Sequence, residues 1–227
     1  MFVFKSFVNS YHYLYQDAEY FQQLATRPEI SSSFEAVRLS RTALLLYILS
    51  LEALINRAWD HFLPANVHDF FLEREDRYSL EDKWLLLPML VGNGQDQFDR
   101  SRYPWSHFTE MIRIRNEYVH PKHDRPAYYE AVTQKKFRPF PWNAIPDDLP
   151  LRETDLIYRQ TRVPKDPYSV KAEHVETIRS IVDAMVIELD RLLGGRILKD
   201  NWYRNDAMEL VYPPGATLND LPLDGSD

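Results

Sequence analysis

At 227 residues, with 44% hydrophobic and 27% charged side chains, the chain has the balance of an ordinary globular protein built on one sizeable core. It contains no cysteine, which excludes disulfides, thiolate metal centres and cysteine nucleophiles, so any chemistry must come from His, Arg, Asp, Glu, Ser or Tyr. A net charge of -7 argues against a broad basic face that coats nucleic acid, yet leaves room for a small basic pocket.

The N-terminal "MFVFKSFVNSYHYLY" has no basic start, no continuous apolar stretch and no small-residue cleavage site, so no signal peptide is expected. From Phe4 to about Ala25, apolar side chains recur at three-and-four spacing (Phe7, Val8, Tyr11, Leu14, Tyr15, Ala18), which predicts a helix that Arg27-Pro28 ends. After "EISSS", where Ser32 or Ser33 can cap, a second helix is predicted from Phe34 to about Phe62. Its middle, "TALLLYILSLEALI", is apolar nearly all round, which marks a helix surrounded by others. The unbroken apolar run Ala43–Leu49 is far short of the roughly 20 residues of a membrane span. A cytoplasmic protein without membrane contact is expected.

"SLEDKWLLLPML" predicts a third helix, with Ser79 as cap, Glu81 and Asp82 at the positive end of the helix dipole, and Pro88 limiting or kinking it. "VGNGQDQFDRSRY" reads as a connector. A fourth helix is predicted from near Pro104 to His120, because the residue before Pro121 is pushed out of helical geometry. The stretch 121–167 holds eight of the chain's 15 prolines and reads as a long irregular insertion. It contains short β-like pieces such as "YYEAV" and "DLIYRQTRV", and a small hairpin is expected within it. Ser169 is expected to cap a last helix striped by Val175, Ile178, Ile181, Val182, Met185, Leu189 and Leu192, which Gly194-Gly195 ends. The expected organisation is one all-α domain over 1–204 and an acidic, loosely ordered tail over 205–227.

On the fourth helix, Trp105, Phe108, Met111, Ile112, Tyr118 and Val119 gather on one side, and Arg115 falls within that stripe. A buried guanidinium needs a carboxylate, an anion or carbonyl groups, since leaving it unpaired costs several kcal/mol. The obvious internal partner is Glu52, in the most apolar helix, with Asn56 one turn later on the same face. A structural ion pair between packed helices and a functional site are both open readings of this cluster. Arg and His together suit phosphodiester chemistry. The guanidinium holds a phosphate through parallel hydrogen bonds and stabilises transition-state charge, while an imidazole moves protons to and from ribose oxygens without a metal.

Other candidates are weaker. His120, His123 and Asp124 could ligate a metal, but no second cluster accompanies them, so neither a metal nor a cofactor is expected. "KKFRPF", with Lys135, Lys136 and Arg138, could grip a single strand by charge and stacking, or be a loop packed by its Phe residues. The segment 120–167 carries nine Lys/Arg against seven Asp/Glu, so a polyanion would touch the protein there.

"RNEYVHPK", Arg115 to Lys122, resembles the Arg-polar-x-x-x-His motif of the HEPN superfamily, all-helical domains that include many prokaryotic ribonuclease toxins and defence proteins. "YILSLEALIN" resembles the family's central helix with its acidic residue, "SLEDKWLLLP" the helix before the motif, and the helix after Ser169 the closing one. The likeness covers about Phe34 to Leu193 apart from the insertion. It implies a HEPN-like bundle and a metal-independent endoribonuclease of toxin–antitoxin or defence systems. Arg115 and His120 would then be the catalytic pair, with Asn116, Glu52 and Asn56 in support. The implied partners are RNA (tRNA among the candidates), a second copy in a homodimer, and a separately encoded antitoxin. Lys122, His123, Lys135, Lys136 and Arg138 are the expected RNA contacts. The alternative is a non-catalytic dimeric module that holds a nucleotide or protein partner in the same groove.

Overall fold

The apolar middle of the second helix organises the molecule. The computed structural model of the chain describes residues 3–31, 33–64, 67–68, 78–92, 97–120, 126–204 and 206–211. The chain is mostly helical, with α1 at Ser10–Ala25, α2 at Phe34–Phe62, α3 at Leu80–Val91, α4 at Trp105–Val119, a one-turn α5 at Glu153–Leu156 and α6 at Ala172–Leu192. Tyr47, Ile48, Leu51, Leu54, Ile55 and Ala58 of α2 are completely or almost completely buried, against α1, α3, α4 and α6. By length and composition α2 could also cross a membrane, a property shared with core helices, and half of its most apolar stretch is covered by protein.

The predicted stripe of α6 is the buried one: Val175, Ile178, Ile181, Val182, Met185, Leu189 and Leu192 all face the core. Each such side chain stabilises the fold by about 1.5–3 kcal/mol relative to exposure. One core cluster takes in residues from Tyr11 to Ile197. In α3, the Ser79 hydroxyl accepts from the Asp82 amide (3.1 Å) and the Asp82 carboxylate accepts from the Ser79 amide (2.9 Å), a reciprocal cap. Pro88 does not stop this helix, which runs to Val91 with Gly92 as its C-cap; a Cβ at Gly92 would lie 2.5 Å from the Pro88 carbonyl oxygen, so a larger residue does not fit there. Gly194 and Gly195, at φ 68° and 80°, end α6 as expected.

Four expectations are corrected. The helix predicted from Phe4 begins only at Ser10, where the Asn9 side chain accepts from the His12 amide (3.3 Å). Before it, Val3–Phe7 is a strand, β1, paired antiparallel with β4, Ala207–Val211, so the tail expected to be loose from Asn205 is ordered over 207–211. The partner strand lies 200 residues away, and no local pattern announces such a pairing.

The hairpin is present as β2 (Tyr129–Thr133) and β3 (Lys136–Pro139), but the stretch "DLIYRQTRV", expected to be β-like, is not a strand. It forms the helical turn α5 and a tight loop closed by the Tyr158 amide on the Val163 carbonyl (2.8 Å), with Arg162 at φ 59°. Ile157, Tyr158 and Val163 of the insertion are buried, and Tyr158 and Val163 pack into the main core cluster, so the end of the insertion is anchored on the core. Finally, Ser169 does not cap the last helix. Val170 is drawn into the core with extended backbone, which breaks the helical phase, and α6 starts after Lys171, whose amide donates to His174 Nδ1 (2.9 Å). Ser169 instead closes a short 3-10 turn, Pro167–Ser169, capped by Asp166.

Candidate active site

The last turn of α4 lies against the middle of α2, and this crossing brings Arg115 to Glu52. Arg115 Nη2 donates to the Glu52 carboxylate, and Nη1 donates to Asn116 Oδ1 at 2.9 Å. The side chains of Arg115 and Glu52 are 22% and 37% exposed, so the pair sits at the rim of the core, not deep inside it as the stripe suggested. The difference arises because a helix face is wider than its buried strip, and a long arginine carries its head to the edge. Nε is nevertheless shut off from solvent without an acceptor among the described residues. The forked group has five N–H donors, so two remain on the outer nitrogens for an anion after Glu52 and Asn116 have taken one each.

His120 follows as the C-terminal cap of α4, with non-helical backbone (φ -125°, ψ 67°), an exposed side chain and its amide on the Asn116 carbonyl (2.9 Å). The end of α4 thus carries a guanidinium fixed by two acceptors, and an exposed imidazole follows five residues later in the chain. No hydrogen bond joins Asn56 to Arg115; the Asn56 Oδ1 accepts from Lys83 Nζ at 2.9 Å and ties α2 to α3.

Glu52 and Asn56 also line a cleft of about 1280 Å³ bounded by α1, the outer face of α2 and the C-terminal 3-10 segment Lys199–Arg204. Burial and the neighbouring Arg57 push the His61 imidazole in this cleft below its usual pKa.

The hairpin cations stand apart from this cluster. Arg138 pairs with Glu130 across β2 and β3 (2.5 Å), and Lys135 and Lys136 are exposed. Phe137 is 61% exposed, so the strand is not a loop packed by that ring. Lys122, His123 and Asp124 lie outside the described residues. Among the described residues, no group of three or more His, Asp or Glu side chains converges as metal ligands would.

Sequence reasoning missed what holds α4 from its other side. Glu110 Oε2 accepts from the amides of Gln160 (2.8 Å) and Thr161 (2.6 Å), the Tyr158 hydroxyl donates to Glu117, and the Tyr118 hydroxyl donates to the Pro164 carbonyl. The spacing of Glu110 and Glu117, seven apart on one face, was the available signal. It also missed the link between α1 and α6, where Tyr15 donates to Asp183 (2.7 Å) and burial raises its phenol to about 12. Compared with protein-family models, with curated proteins and with solved structures, the chain matches none of them.

Proposed function

We propose that the chain is a metal-independent endoribonuclease of the HEPN type, acting as a homodimer in the manner of prokaryotic toxin and defence proteins. The observation that carries this reading is the Arg115 guanidinium held by Glu52 and Asn116, one turn before an exposed His120. A guanidinium fixed by two acceptors on one side has its free donors prearranged for a phosphodiester, and preorganised donors are what lower a phosphoryl-transfer barrier.

In this mechanism an imidazole of His120 takes the proton of a ribose 2′-hydroxyl, and the 2′-oxygen attacks the adjacent phosphorus. The bond from phosphorus to the 5′-oxygen breaks, and the leaving oxygen receives a proton from the other copy's imidazolium. The products are a 2′,3′-cyclic phosphate and a 5′-hydroxyl. Arg115 binds the non-bridging oxygens throughout, while Glu52 and Asn116 act as positioning residues.

The test is incubation of purified protein in EDTA with end-labelled single-stranded RNA and tRNA, beside folded His120→Ala and Arg115→Ala variants. Cleavage that both substitutions abolish supports the reading. No cleavage of any substrate shifts it to the non-catalytic dimeric module that binds a nucleotide or protein partner.

A further inference from the structure

Four side chains gather at the start of α2 in an arrangement the bundle itself does not need. The Phe34 ring stacks nearly parallel to the Tyr168 ring, with centroids 6.0 Å apart and 15° between the planes. The Arg38 guanidinium lies over Phe34 at 4.9 Å, and that of Arg41 lies over Tyr168 at 5.0 Å. Phe34 and Tyr168 are 54% and 52% exposed, so neither ring closes the core. The two guanidiniums form no hydrogen bond or ion pair with any described residue, although the chain carries a net charge of -7. Asp166, the carboxylate beside Tyr168, is taken up by the Tyr168 amide (3.0 Å) and the Ser169 hydroxyl (2.7 Å). Tyr129 of β2, also exposed, lies next to Asp166 and Tyr168 and joins this row of rings to the hairpin that bears Lys135 and Lys136.

We propose that Phe34, Tyr168, Arg38 and Arg41 form a platform for single-stranded RNA, which receives unpaired nucleotides flanking the phosphate at Arg115. Exposed rings accept bases by stacking whatever their sequence, and arginines beside them take the phosphates, the combination that holds single strands. A duplex keeps its base faces covered and gains only the charge contacts, so the platform selects unpaired RNA. It also lies in line with the candidate active site. Phe34 and Glu52 are 18 residues apart on α2, about five full turns, and therefore share a face, with Arg41 and the half-buried Leu45 along the same line. The rise of the helix sets Phe34 about 27 Å from Glu52, on the order of eight nucleotides of a stacked strand. The insertion runs the same way: the Tyr118 hydroxyl, just beyond Arg115, donates to the Pro164 carbonyl, and the chain continues from there to Tyr168. The platform deepens the endoribonuclease reading and rests on it for the end of the strand that Arg115 takes.

The test is fluorescence anisotropy with a labelled RNA of about 12 nucleotides that does not self-pair, and with the same RNA annealed to its complement. The full chain carries His120→Ala, so that no strand is cut during the measurement, and is compared with two double variants in that background. Arg38→Gln/Arg41→Gln removes the charges, and Phe34→Leu/Tyr168→Leu removes the rings at two exposed positions where folding is not at risk. The single strand is expected to bind at least about tenfold more tightly than the duplex, and each double variant to lose about tenfold or more. The slope of log affinity against log salt should flatten by about 1.4 in the charge variant and stay unchanged in the ring variant, a split that a general loss of stability does not produce. The proposal is overturned if no single strand binds at about 100 µM, which would leave the face to a protein partner, if the duplex binds equally well, or if either double variant binds as the parent does. Platform-dependent binding by a parent that cleaves no RNA would end the nuclease reading and leave the platform standing. With cleavage, the ring variant should raise KM for the long RNA and leave kcat unchanged; a fall in kcat with KM unchanged would overturn the platform, because the rings would then serve the chemistry and not the docking.

Discussion

Glu52, from the most apolar helix of the chain, accepts a hydrogen bond from Arg115 across a sequence separation of 63 residues. The pair fixes the end of α4 against α2 and orients the guanidinium that the proposed chemistry uses.

Removing the acceptor leaves that guanidinium with Asn116 alone. Glu52→Ala is expected to cost about 1–3 kcal/mol, between an exposed and a buried ion pair, and Glu52→Gln about 1 kcal/mol because a neutral acceptor stays. Urea denaturation at pH 7 reads both. Equal stability of parent and Glu52→Ala would mean that the pair contributes nothing to the fold.

Arg115→Lys keeps the charge and loses the fork. Stability should remain within about 1 kcal/mol of the parent, while RNA cleavage falls on the order of 10²-fold, since an ammonium cannot hold two phosphate oxygens in one plane. Single-turnover cleavage of a labelled RNA measures it. A lysine variant as active as the parent would remove bidentate binding from the mechanism.

Glu110 accepts from two successive amides of the insertion, Gln160 and Thr161. Glu110→Ala strands both donors and is expected to cost about 1–3 kcal/mol. The local signature is faster amide hydrogen exchange over 157–163 with exchange in α6 unchanged. Uniform acceleration across the bundle would show instead that the insertion and the core open as one unit.

His174 accepts the Lys171 amide through an unprotonated Nδ1, and burial is the main reason its pKa lies below the usual value; Glu173 opposes the shift and Lys171 adds to it. With the folded pKa depressed, the unfolded chain binds the extra proton first. The contribution of His174 is therefore fully present above about pH 6.5 and is lost as pH falls through the depressed folded value. Burial also lowers His61 and His107, which act in the same direction. Urea midpoints should drop between pH 7 and pH 5, and His174→Gln, which can still accept at that position, should show a shallower drop. An identical slope in the variant would assign the pH dependence elsewhere.

Helices α2, α3, α4 and α6 were legible because each carries its own signals: the all-round apolar α2, the Ser79 cap of α3, the proline boundary after His120 and the clean stripe of α6. The pairing of Glu52 with Arg115 was legible for a related reason, since an ionised side chain on an apolar face demands a partner and few were on offer. What escaped was non-local. Strand β1 looks like the start of a helix until β4 is placed beside it. Tyr158 looks like part of an irregular loop until Glu117 is placed opposite. Arg57 and Trp202 come from segments with no shared pattern and meet only in the folded cleft.

The pairing of β1 with β4 sets an order in time. Phe7 faces Ala207, so 200 residues must be made after the first strand before its partner exists, roughly 10–40 s at ordinary translation rates. Trp202 and Asp206, which close one wall of the cleft, arrive in the same late interval. The helices can therefore assemble while the chain is still being made, but the cleft gains its far wall only once translation has passed residue 206.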